Sequence, residues 1–320
     1  MEKYFYIIIY LMFALTGCEK EQEPACTSDG YKIKISIPGY LESTKAVKSA
    51  ISSLEIFCFN DDAYRKIDSY AVYDGLSGDE VQFASRTGEK IIVAVANSHS
   101  RLNEEVYCYE DLAGVMANLC EEDPKFPLMI AQTSIRAGNG FCFNMKLKPL
   151  CARIRIAAIK MGIEGGAMLR NAQCYLTNVN TACKMLGQKS FAPSSILNPG
   201  MLNEHDLEQM KHKEMLVHKF RLPIGSAGVY ENICLYCYPN DVEQESAGSQ
   251  FTRLVIEGYI NGKKYFYPIN INRNGFRSNS GEAEGIFPGC EYVYRLTLAH
   301  YGTSDPDIPF EIGSNNQDKG

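Results

Sequence analysis

Three groups of residues have types and spacings that could do chemistry. Cys234 and Cys237 form a CxxC, the spacing used by redox pairs and zinc sites. His205, Glu208 and His212 stand three and four positions apart. On a helix that spacing would gather them near one face, and histidine with glutamate suits zinc. Cys18 closes an apolar run that begins at Tyr4 behind Lys3, and Leu15-Thr16-Gly17 leads into it. A positive start, a short apolar centre and small residues at the cut describe a secretory signal. The run falls short of the roughly 20 residues that cross a bilayer, and Glu19-Lys20-Glu21 follows at once.

The first two groups lose their chemistry when placed on elements. Ile233 to Tyr238 reads as a strand, and residues three apart on a strand point to opposite faces. No second CxxC exists to complete a site. The histidine group lacks the HExxH pattern and lies in a segment rich in both charge signs, so a solvated helical face is expected. No metal site is expected. Gly225-Ser226-Ala227-Gly228 lacks the strand-turn-helix setting of a nucleophile elbow. Gly162 to Gly166 lacks the lysine and hydroxyl residue of a phosphate loop. No catalytic residue and no cofactor are therefore expected, and the chain reads as something other than an enzyme. A formal net charge of −6 argues against a nucleic-acid partner, which would want a basic face.

There are twelve cysteines, so setting Cys18 aside leaves an odd number that cannot all pair within one chain. Many lie in apolar runs, such as Ile56-Phe57-Cys58-Phe59 and Phe141-Cys142-Phe143, where cysteine serves as a small buried hydrophobe.

The elements that must carry these residues are mostly strands. Ile33, Ile35 and Ile37 alternate with Lys32, Lys34 and Ser36, the period of a half-buried strand. Leu54 to Phe59 is a second strand, and Lys90 to Ala96 is a continuous apolar run that suits burial on both faces. Tyr109 to Leu119 has helical spacing, and Pro124 to Ala137 reads as loop and short strand. Leu150 to Ile159 alternates again, behind a Pro149 that belongs at an edge. Phe191 to Glu214 reads as a polar insertion with a helical end. Arg253 to Ile260 and Lys263 to Ile269 flank Asn261-Gly262, which supplies the positive φ angles of a type I′ hairpin. Many short strands with few helices predict an all-β chain with minor helices, two β-sandwiches in series. The expected parts are a signal over 1–17, a tether over 18–29, sandwiches over 30–149 and 150–302, and a polar tail over 303–320.

The Leu-Thr-Gly-Cys ending resembles the bacterial lipobox, in which the cysteine is acylated and becomes the mature N-terminus. With the strands laid out, the order of several short blocks resembles the Bacteroides-type fimbrillin family. The blocks are Thr44-Lys45-Ala46, Phe59-Asn60-Asp61, Val93-Ala94-Val95-Ala96-Asn97, Lys148 to Ile156, Tyr236-Cys237-Tyr238-Pro239-Asn240, and Tyr292 to Leu298 followed by Gly302 and Asp305-Pro306-Asp307. Two positions depart from the family: Lys45 stands where arginine is usual, and Pro239 where glutamate is.

The resemblance implies two transthyretin-like sandwiches in a structural role. It implies an outer-membrane, cell-surface lipoprotein of fimbriae, anchored by lipid on Cys18. Its expected partners are other fimbrial subunits and a host or bacterial surface ligand. In stalk subunits of the family a protease cuts after a basic residue beyond the first strand, and a neighbour's strand fills the groove. Here the matching basic residues are Lys45 and Lys48, the removable strand carries Ile33, Ile35 and Ile37, and the candidate donor strand carries Ile308, Phe310 and Ile312. Anchor-type members keep their lipid uncut. The reading from a different class is a surface glycan-binding lipoprotein that displays aromatic side chains at a concave site.

Overall fold

The computed structural model describes residues 31–37, 50–137, 142–186, 195–246, 248–273 and 283–308. Its first half gives β1 (Tyr31–Ser36), β2 (Leu54–Asn60), β3 (Ile67–Tyr73), β4 (Glu80–Phe83), β5 (Gly88–Ala96), α1 (Tyr109–Gly114), β6 (Met116–Asn118), β7 (Met129–Ala137), β8 (Cys142–Lys146) and β9 (Lys148–Pro149). The second half gives β10 (Ala152–Met161), β11 (Arg170–Thr177), β12 (Val179–Asn180), β13 (Ala182–Lys184), β14 (Ile196–Leu197), α2 (Glu204–Gln209), β15 (Val217–Lys219), β16 (Ile233–Cys237), β17 (Arg253–Ile260), β18 (Lys263–Asn270) and β19 (Glu291–Leu298).

These strands form the expected all-β pair of sandwiches, and the same topology occurs twice. The first half packs a sheet of order β4-β1-β8 on one of order β3-β2-β5-β7-β9. The second packs β16-β10-β19 on β15-β11-β17-β18. In both, the first strand sits in the middle of a three-stranded sheet. It runs parallel to one neighbour, β8 or β19, and antiparallel to the other, β4 or β16.

The central strands show why the apolar runs are continuous. On β5, Ile92, Ala94 and Ala96 face the three-stranded sheet, while Ile91, Val93 and Val95 join a second cluster on the opposite face. A strand covered on both sides has no solvent face for polar residues to occupy. Pro149 lies on β9, the edge strand paired to β7, where a missing N–H costs no ladder bond on the outer side. The β17–β18 hairpin turns at Asn261 and Gly262, with φ of 50° and 81°. Those left-handed angles are the ones a type I′ turn requires.

Two expected helices are shorter than their spacing predicted. The Tyr109–Leu119 pattern stops at Gly114 because Met116–Asn118 pairs antiparallel with Ala182–Lys184 of the second half. Ladder bonds to a distant strand outcompete one more helical turn. The Phe191–Glu214 segment also departs from a plain polar insertion, because Leu197, Leu207 and Met210 are buried in the core. The Pro124–Ala137 stretch yields a nine-residue strand, longer than expected, because β5 pairs along its whole length.

The two halves share one core. Phe57, Val93, Leu112, Leu119 and Leu128 of the first belong to the same buried cluster as Ile154, Leu176, Leu235 and Tyr292 of the second. At this joint Glu122 is 1% exposed. Its Oε1 accepts from the Tyr238 hydroxyl at 2.9 Å and its Oε2 from the Leu128 N–H at 3.2 Å. Burial pushes the Glu122 carboxyl up to about 7, although both of these bonds pull the other way.

The folded state keeps a proton that the unfolded chain gives up above its own carboxylate value near 4.5. Stability from this group is therefore full below that value and falls as pH rises towards 7. The loss is on the order of 3 kcal/mol. Thermal melts between pH 5 and pH 8 should fall more steeply with pH for the native chain than for Glu122→Gln.

Candidate strand-exchange interface

β1 is the element on which the candidate site residues converge. Ile33, Ile35 and Ile37 are 0%, 1% and 1% exposed, and they share a buried cluster with Val81, Phe83, Met145 and Leu147. Leu54, Ile56, Ile92 and Met129 of the facing sheet complete that cluster. Burying each isoleucine contributes about 2 kcal/mol. Lys34 points outward and meets Asp79 at 3.8 Å with both groups half exposed, an ion pair worth little.

The backbone of β1 is used on both sides. Lys32 to Lys34 pair with Gln82 to Glu80 on β4, and Lys32 to Ser36 pair with Cys142 to Lys146 on β8. The Ile35 N–H donates to the Asp79 carbonyl at 2.7 Å, and the Leu147 N–H donates to the Ser36 carbonyl at 2.8 Å. β4 and β8 are not neighbours of each other. Without β1 both would present unpaired edges above an open apolar groove. A replacement must run antiparallel to β4 and parallel to β8, with apolar side chains at alternate positions. β10 holds the equivalent place in the second sandwich, but it follows β9 after only Leu150 and Cys151. β1 instead joins the rest of the first sandwich through residues 38–49.

Lys45 and Lys48 lie in that connection and, like Cys18, fall outside the described residues. Its return point is firmly held. Asn97, at φ 62°, donates to the carbonyls of Ala50 and Pro127, both at 2.9 Å, and accepts from the Ser52 N–H at 2.8 Å. In sequence Asn97 simply follows the apolar run Lys90 to Ala96. The signal for more was its residue type, since asparagine enters the left-handed region readily and carries both donor and acceptor.

Of the candidate donor residues, Ile308 is described and 55% exposed, while Phe310 and Ile312 fall outside the described residues. The chain reaches Ile308 by crossing β18. Thr303 exchanges two backbone bonds with Phe266, at 3.0 and 2.8 Å. Asp307 Oδ1 accepts from the Arg253 guanidinium at 2.8 Å, and Glu245 Oε1 takes the same group at 2.6 Å. Arg253 is 3% exposed, so this clamp is built into the sandwich. A Cβ on Gly302 would fall 2.3 Å from the Phe266 carbonyl oxygen. Gly302→Ala should therefore lift the segment from β18 and cost about 1–3 kcal/mol. Hydrogen exchange at Phe266 and Thr303, protected in the native chain, would report it.

The two metal-like spacings are not brought together. α2 ends at Gln209 and Met210 caps it in an extended conformation, so the expected helical face is broken before His212. His205 and Glu208 are exposed and 3.9 Å apart, while His212 turns to Glu214 at 3.0 Å. Cys237 is buried, whereas Cys234 lies on the other face of β16 and accepts from the Arg153 guanidinium at 3.0 Å. Among the described residues Cys58, Cys108, Cys120, Cys151, Cys174, Cys183, Cys234 and Cys237 are free thiols. Burial pushes Cys174, Cys183 and Cys237 well above the usual thiol range, which leaves them inert.

No family model and no curated protein matches the chain in sequence. Solved structures do match it in fold. A candidate cell adhesion protein from Parabacteroides distasonis superposes with a TM-score of 0.62 at 14% identity, covering 88% of this chain and 91% of that one. A fimbrilin from Porphyromonas gingivalis gives 0.60 at 12% identity, covering 89% and 94%. A candidate cell adhesion protein from Bacteroides eggerthii gives 0.58 at 17% identity, covering 91% and 95%. At these identities the likeness is one of fold, and a fold alone does not carry function.

Proposed function

We propose that this chain is a fimbrillin-type structural component of cell-surface fimbriae, a subunit or a membrane anchor, that assembles by β-strand exchange and contributes to adhesion. The observation that carries the reading is β1. It supplies three fully buried isoleucines and both ladders of a central strand, yet it is tied to its own sandwich only through residues 38–49. A cut after Lys45 or Lys48 would leave β1 held by non-covalent contacts alone. The fold shared with the Porphyromonas gingivalis fimbrilin supports the same reading.

In this proposal the units are a signal over 1–17, a lipid tether from Cys18, and sandwiches over 30–149 and 150–302. Partners are other subunits, the outer membrane through acylated Cys18, and a surface ligand. The donor is the segment carrying Ile308, Phe310 and Ile312, whose alternate spacing equals that of Ile33, Ile35 and Ile37. The glycan-binding alternative gains less support. Tyr64, Tyr107, Tyr230 and Tyr301, the most exposed tyrosines among the described residues, lie outside the named strands and form no row on a sheet face.

The N-terminus of the mature surface protein tests the role. Acylated Cys18 on the surface protein marks an anchor or uncut subunit, and an N-terminus at Ala46 marks a stalk subunit. A chain that is neither acylated nor cut, and that is recovered only as a monomer, would contradict both.

A further inference from the structure

A second site lies in the first sandwich, away from the residues used above. Asn60 ends β2 directly opposite Lys90 on β5. Lys90 Nζ is 2.6 Å from Asn60 Oδ1 and 3.0 Å from Asp68 Oδ2, and the Lys90 and Asp68 side chains are each 2% exposed. Asp68 Oδ2 also accepts from the Ser85 hydroxyl at 2.8 Å and the Arg86 N–H at 2.9 Å. The Asn60 amide nitrogen makes one long bond, at 3.4 Å, to the Lys66 carbonyl. A buried amine thus touches a half-buried carboxamide and a buried carboxylate at once.

From this geometry we propose that Lys90 and Asn60 close an intramolecular isopeptide bond, with Asp68 as the proton carrier. Asp68 takes a proton from the Lys90 ammonium, and the freed Nζ lone pair attacks Cγ of Asn60. Asp68 then delivers that proton to the departing amide nitrogen. The Nζ–Cγ bond forms, the Cγ–Nδ2 bond breaks, and ammonia leaves with the surplus proton as ammonium. Nothing is oxidised or reduced, and Asp68 ends as it began. Holding the groups in contact replaces a bimolecular encounter with a positioned one, the largest obstacle to amide exchange between side chains.

Asp68 is held below its usual range, since the bonds from Arg86, Lys90 and Ser85 outweigh the upward push of burial. Asp68 therefore rests as the carboxylate, able to accept the proton. The product ties β2 to β5, adjacent inner strands of the five-stranded sheet. It is independent of whether β1 is ever exchanged.

Mass analysis of the purified full chain after prolonged incubation tests this. The expected result is a chain lighter by one ammonia. Its tryptic map should hold the peptide from Ser49 to Arg65 joined to the peptide from Thr87 to Arg101, uncut at Lys90. Asn60→Ala should leave the Ser49 to Arg65 peptide unjoined and the 87–101 stretch cut after Lys90. A native chain of unaltered mass, with Lys90 cleaved and the Asn60 peptide free, overturns the proposal without reliance on any variant. Asp68→Asn should slow closure at least tenfold; closure at the native rate would remove Asp68 from the step.

Discussion

Ile35→Asp is expected to stop the first sandwich from closing. Ile35 is 1% exposed near the end of β1, with Val81, Met145, Ile56 and Ile92 in the same cluster. The change removes about 2 kcal/mol of apolar burial and asks a carboxyl group to enter a site without a cation. Together these cost on the order of 5 kcal/mol, which rivals the whole stability of a typical domain. Lys34→Asp, one position away, should shift stability by only about 0.5 kcal/mol because its side chain is half exposed. Urea unfolding of the two variants separates a slot that must be filled by alternating apolar groups from a strand that needs only its backbone. Equal midpoints would show that β1 contributes through its ladders alone.

Asp68→Ala carries the second large effect. It strands Lys90, 2% exposed, with the Asn60 carbonyl as its remaining partner. Removing one member of a buried pair costs about 3–5 kcal/mol because the other charge is left uncompensated. The pH dependence follows from the same contacts. Asp68 has a lowered folded value, so its contribution is present above the unfolded carboxylate range and is lost as pH falls through the folded one. Glu122 acts with opposite sign, losing stability as pH rises towards 7. The native chain should therefore be most stable near pH 5. Asp68→Ala should flatten the acid limb of the urea midpoint against pH, and Glu122→Gln the neutral limb.

The sequence carried the sandwich architecture because period-two strands, an Asn-Gly turn and an edge proline are local signals. Ile33, Ile35 and Ile37 announced a buried face by alternation alone. The repeated strand order was hidden, because sheet order depends on pairings between distant segments and the two halves differ residue by residue. α1 was overestimated for the same reason: β13 lies far along the chain, and no local rule foretells that it will capture Met116–Asn118. The Asn60–Lys90–Asp68 contact has no local signal, because the three residues lie on three different strands near the ends of their apolar runs. The register of β2 against β5, together with the irregular pairing of β2 with β3 at Asp68, makes them neighbours. The Arg253 clamp on Asp307 was equally invisible, since a lone arginine in an apolar strand names no partner.

The most direct measurement is the assembly state of the folded chain after cleavage confined to the 45–48 stretch. Strand exchange predicts that the segment bearing Ile33, Ile35 and Ile37 leaves. Multimers should then form in which Phe310→Cys of one copy forms a disulfide with Val81→Cys or Met145→Cys of the next, and Phe310→Asp should abolish them. A cleaved chain that keeps its first strand and stays monomeric, or that loses the strand and forms multimers without those cross-links, would contradict the account.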